Sequence, residues 1–162
     1  MMSVITRLNQ RWSKWLIIVI ASGLGGSIIA GVLTHSRKQM IVVPFDDAKF
    51  APLDLEHPGG NQFAMLWGDP MKGPSAMLVK FKKGVSSLHY HSTDYHLAVI
   101  QGTMKHWVER EREEDAKPLE AGSYWFQPSK QPHADACLTD ECLTFVYWLD
   151  KRDYIPAETP KK

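Results

Sequence analysis

Beyond residue 40 the apolar positions come in short runs broken by Gly, Pro and Asp, and a helical period is hard to find. The runs predict strands over 40–45, 63–67, 75–81, 89–91, 95–100, 103–108, 123–127, 133–137 and 143–149. Turn chemistry separates them: Lys82-Lys83-Gly84, Ser92-Thr93-Asp94, Gln101-Gly102 and the stretch from Pro128 to Pro132. The charged run EREREEDAK over 109–117 reads as a solvated hairpin tip, returned by a turn over 118–122. Many short strands without helices predict an all-β sandwich or barrel. After Asp150 the chain, with Pro156, Pro160 and terminal lysines, reads as a flexible tail over 151–162.

The N-terminal part follows a different pattern. Trp15 to Leu33 is uncharged, follows the basic residues Arg7, Arg11 and Lys14, and precedes Arg37 and Lys38. At ~1.5 Å per residue such a run just crosses a hydrocarbon core of ~30 Å. It is read as a transmembrane anchor or a cleaved signal peptide within 1–38, and the lack of an A-x-A-like site favours the anchor. Basic residues before the span place the N-terminus in the cytoplasm and the globular part, 39–150, in the periplasm or outside.

The net charge of +1 gives no nucleic-acid footprint. Six Trp, five Tyr and six Phe, mostly after residue 40, suit a packed β core. Cys137 and Cys142 are the two cysteines, and Asp140-Glu141 between them reads as a hairpin loop that sets them opposite each other. They either form a disulfide, in an oxidising compartment, or stay as two unpaired thiols.

Candidate chemistry lies in the histidines. His89 and His91 are two apart, so a strand turns both imidazoles to one side. His133 follows the Pro-rich turn and can approach from a neighbouring strand. Three imidazoles on one interior face suit one divalent transition metal, Fe, Mn, Ni, Cu or Zn. Asp135 shares the strand face of His133 and is placed to hydrogen-bond a ligand imidazole. Strand alternation lets only one of Tyr95 and His96 face inward; Tyr95 is the expected inward residue and His96 the alternative metal ligand. His35, His57 and His106 read as surface residues.

Gly84-x4-His89-x-His91-x3-Tyr95-x6-Gly102 resembles the first motif of the cupin superfamily, and Gly122-x5-Pro128-x-Lys130-x2-His133-x3-Cys137 resembles the second. The phrasing HYHSTDYHLAVIQGT and LEAGSYWFQPSKQPH is similar to a bacterial cupin group catalogued as a domain of unknown function. The resemblance spans about residues 42–150. It implies a cupin-type jelly-roll barrel with one divalent metal in its mouth, held by His89, His91 and His133. Tyr95 stands where the family's glutamate does, Lys130 where its turn glycine does, and Cys137 where its asparagine does. A set of three neutral histidines leaves the metal's charge uncompensated, so the expected ligand is a small molecule with an anionic oxygen.

Two functions remain open at this point. One is a mononuclear metal-dependent oxygenase or related small-molecule enzyme, with Tyr95 as the catalytic residue that orients or protonates the bound anion. The other is a non-catalytic, metal-loaded sensor or ligand-binding cupin outside the cytoplasmic membrane. A homodimer through edge strands is an expectation of the resemblance alone.

Overall fold

The structure is a computed structural model and describes residues 39–157. The expected anchor or signal segment within 1–38, and residues 158–162 of the expected tail, lie outside the described residues. Among the described residues no helix is long and apolar enough to cross a membrane.

The described residues are all-β, as the runs predict. Nine strands follow in order: β1 Ala51–Pro52, β2 Gln62–Gly68, β3 Ser75–Val85, β4 His89–Tyr90, β5 Tyr95–Gln101, β6 Met104–Val108, β7 Tyr124–Gln127, β8 His133–Trp148 and β9 Ile155–Pro156. The charged run holds a single 3-10 turn, Glu113–Asp115, where Arg112 pairs with Glu114 and Asp115. One expected strand is absent. Residues 40–44 take no regular structure and leave Ile41 and Val42 exposed. Strand propensity reports fit to a half-buried surface, and no neighbouring strand offers one there.

β8 is the spine of the sheet. Along one edge it pairs first with β4 and then with β3; along the other, with β6 and then β5, all antiparallel. β2 and β1 extend the sheet beyond β3, β7 lies beyond β5, and β9 lies beyond β4. Alternation sorts the side chains: Tyr95, Leu97 and Val99 of β5 point inward, as do Trp125 and Gln127 of β7. Inward residues of both halves, among them Met77, Met104, Cys137 and Trp148, meet in one core, so the sheet curls around it. Each large core side chain stabilises the fold by roughly 1.5–3 kcal/mol relative to exposure.

The curl is made at one level of the sheet. Between the pairs Lys82–Glu141 and Gly84–Cys137, β8 has three residues where β3 has one, which is a bulge. Across the other edge, β5 ends and β6 begins around Gly102, whose φ of 85° belongs to the left-handed region. A Cβ at Gly102 would stand 2.6 Å from Thr139 Oγ1 and 2.8 Å from the Glu141 carbonyl oxygen, so the bulge and the break between β5 and β6 need glycine to approach each other.

The bulge corrects the expected hairpin between the cysteines. β8 does not reverse; it runs on from His133 to Trp148, and residues 138–140 swell out of it. Five residues apart, Cys137 and Cys142 would face opposite sides of a regular strand, but across the bulge both turn inward and are joined as a disulfide. Loop-closure entropy for so short a ring is worth roughly 2 kcal/mol. Replacing both cysteines by serine is therefore expected to lower the unfolding free energy by that amount, read from the urea midpoint and slope, and an unaltered stability would contradict the role given to the disulfide.

Candidate metal centre

His89 on β4 and His133 on β8 are direct cross-strand partners, which brings their side chains together on one face. β4 ends at Tyr90, yet His91 keeps the strand's alternation and returns its ring to the same side. The ring centroids lie 4.4 Å apart for His89 and His133, 4.9 Å for His89 and His91, and 5.2 Å for His91 and His133. All three residues are at least 95 % buried, and one ring nitrogen of each lies within 4.8 Å of the other two. The three expected ligands are thus brought together.

Each ring is fixed from behind. Nδ1 of His89 donates to the Ser87 carbonyl at 2.8 Å, Nδ1 of His133 to the Gln131 carbonyl at 3.0 Å, and Nδ1 of His91 to the Asp153 carbonyl. With the proton held on Nδ1, the lone pair sits on Nε2, the nitrogen left to face the centre. Burial pushes His91 and His133 down to about 4, and lowers His89 as well. Neutral, preoriented imidazoles are the form that binds a divalent transition metal, so the donor set fits such an ion.

The turns beside the ligands are tied to each other. The Lys130 amide donates to the His91 carbonyl at 2.7 Å, and the Ser129 amide to Asp94 Oδ1 at 2.7 Å. Lys130 has a φ of 61°, so this turn keeps the left-handed conformation without a glycine, at a cost of about 1 kcal/mol or more.

Tyr95 and His96 separate as alternation requires. Tyr95 is buried, accepts from Trp125 Nε1 at 3.3 Å, and places its hydroxyl 3.2 Å from His133 Nε2. Burial raises the phenol well above its ordinary range, with the Asp135 charge adding to it, so the hydroxyl keeps its proton. His96 points to the outer face, bonded to the Tyr124 hydroxyl at 2.6 Å and packed on Phe126, and is not a ligand.

Two further expectations are corrected. Asp135 does not bond a ligand imidazole; its Oδ1 is 2.6 Å from Nδ1 of His106, its cross-strand neighbour. Burial works to raise this carboxyl, but the bond from His106 and the nearby His133 and His89 rings outweigh it and hold it low. His106 is therefore not a surface residue. It stacks on Trp125, lies 5.1 Å from the His133 ring, and meets the Gln127 Oε1 at 2.9 Å. Gln127 donates its own amide to the carbonyls of Pro128 and Gln131, so its oxygen faces His106. The inward alternation from Met104 to His106, and from Trp125 to Gln127, was the signal for both.

The described part of the tail, 151–157, is also not loose. β9 pairs with β4, the Arg152 amide donates to Pro70, and the Ala157 amide to Leu88. The Tyr154 ring stacks on His89 at 4.3 Å. Arg152 and Tyr154 thus form one wall of a cavity of about 110 Å³, partly open to solvent, that His89, His91 and Tyr95 also line. Two paired residues are too few to show a strand period, so no sequence pattern announced them.

The family model described as "Domain of unknown function (DUF4437)" matches residues 53–154. The chain belongs to this family. No curated protein matches it. Among solved structures it is similar to an RmlC-like cupin from Shewanella frigidimarina, at 20 % identity and a TM-score of 0.56 over 72 % of this chain and 95 % of that one. KdgF from Halomonas sp. matches at 20 % identity and 0.57, over 72 % and 97 %. The polyketide cyclase RemF from Streptomyces resistomycificus matches at 17 % and 0.57, over 74 % and 87 %. At these identities the likeness is one of fold, and the fold is that of a small cupin.

Two outcomes follow for this DUF4437 cupin. His89→Ala is expected to lose most of the bound divalent metal by elemental analysis, since two imidazoles hold such an ion poorly against competition; retained stoichiometric metal would contradict the assignment. In the metal-free protein, His91 and His133 stay neutral down to about pH 4, whereas the unfolded chain takes up these protons near 6.5. Stability is therefore full above about pH 6.5 and falls between 6.5 and 4, by at most roughly 3 kcal/mol per histidine. Urea unfolding across that range checks the sign, and a flat profile would refute it.

Proposed function

We propose that this cupin is a mononuclear metal-dependent enzyme, an oxygenase or a related enzyme of small molecules, that takes an anionic oxygen ligand. The observation that carries the reading is the convergence of three neutral, backbone-anchored imidazoles beside a buried phenol on the floor of an open cavity. A divalent ion, when bound, supplies Lewis-acid activation of a coordinated oxygen. Among the described residues no carboxylate joins the three nitrogens, and Asp135 is engaged by His106, so an anionic ligand would balance the ion's charge.

Tyr95 has the role of orienting the bound anion by donating a hydrogen bond. Its hydroxyl is next to the donor nitrogens, its phenol stays protonated, and Trp125 fixes its direction. RemF, named a polyketide cyclase, supports the view that this fold hosts enzymes. The disulfide supports an oxidising compartment, in keeping with a domain held outside the cytoplasmic membrane by an N-terminal anchor. One observation favours the binding reading instead: Asp135 is committed to His106 and Asp153 to the Ser92 amide, so both carboxylates beside the cluster are engaged.

Oxygen uptake with β-dicarbonyl and phenolic compounds, using protein loaded separately with Fe, Mn, Ni, Cu or Zn, tests the proposal. Turnover is expected with at least one metal, and Tyr95→Phe is expected to lower kcat by roughly 10²-fold or more while metal content is unchanged. A metal-loaded protein that turns nothing over, yet melts at a higher temperature with one of these compounds, would establish the binding role.

A further inference from the structure

Arg152 is the unused charge of the cavity. It lies on the segment after β8, which no motif marks, and lines the same cavity as His89 and His91. Most of the lining is apolar, with Met77, Val79, Phe81, Val146 and Trp148 among it; the one carboxylate there, Asp135, is engaged by His106. None of the ion pairs among the described residues involves it. The adjacent carboxylate, Asp153, is taken by the Ser92 amide at 2.9 Å. What Arg152 does have is the face of Trp148, with its guanidinium carbon 6.0 Å from the ring centroid. A cation on an aromatic face still has five N–H donors to satisfy, and a partly buried, unpaired guanidinium is costly to keep.

Trp148 also adjoins the candidate metal centre. The His91 ring lies 4.8 Å from it, steeply inclined. The guanidinium and the His91 ring therefore flank the same tryptophan and line the same cavity.

We propose that Arg152 is a carboxylate subsite, so that the ligand of this cavity is a small organic acid with two polar ends. Its carboxylate pairs with the guanidinium, in the planar, two-pronged geometry that arginine favours. Its apolar middle lies along Trp148 and Val146, and its other end offers an oxygen donor to the three histidines. The inference rests on the metal-centre reading and adds to it the substrate class.

Adipic acid monohydroxamate, its terminal amide and acetohydroxamate make the test, titrated calorimetrically into the full-length protein loaded with zinc. The hydroxamate group reports the metal in all three. The carboxylate-tipped probe is expected to bind about tenfold to a hundredfold tighter than the amide. Arg152→Gln is expected to abolish that preference and Arg152→Lys to keep part of it, while zinc content and acetohydroxamate affinity stay as in the parent and the melting temperature does not fall. Equal affinity for the two probes in the parent, or the same preference in Arg152→Gln, would overturn the subsite. Failure of the parent to bind acetohydroxamate would overturn the metal reading instead; hexanoate against hexanamide, with and without Arg152, then decides the subsite by itself.

Discussion

His89 and His133 can meet only if β4 and β8 are held in one register. A slip of a single residue would turn one of the two rings to the opposite face of the sheet. The bulge at residues 138–140 and the glycine break between β5 and β6 bend the long strands at one level, and the disulfide closes the bulge. One end of β8 then carries His133 into the histidine cluster, and the other brings Trp148 into the core against His91. The site is a consequence of that bent spine.

Around this pair the protein has spent backbone rather than side chains. Three carbonyls, from Ser87, Gln131 and Asp153, take the three Nδ1 protons, and the carboxylate that sequence reasoning assigned to this task serves His106 instead. A carbonyl orients an imidazole without adding a charge, so the cluster stays neutral and a bound cation is left to seek an anion from solution. The ligands proposed for the centre and for the cavity are thus of the same kind.

The strand pattern, the convergence of the three histidines and the inward turn of Tyr95 were legible in the sequence because each depends on a period of two and on local turn chemistry. The cysteine pair was legible as a pair, but not as a bulge, since Asp-Glu looks alike in a hairpin and in a swelling of one strand. His106 was missed because a histidine without a motif reads as surface until its cross-strand neighbour is known, and register is not written locally. The wall formed by Arg152 and Tyr154 was missed for a related reason: its order comes from contacts with β4 and residue 70, far away in the chain.

Anomalous X-ray scattering from crystals of protein purified without chelators or nickel resin measures the central claim directly. The account predicts one transition-metal peak per chain, bonded to Nε2 of His89, His91 and His133. A metal found elsewhere, or full metal at this position with one of the three rings turned away, would contradict it.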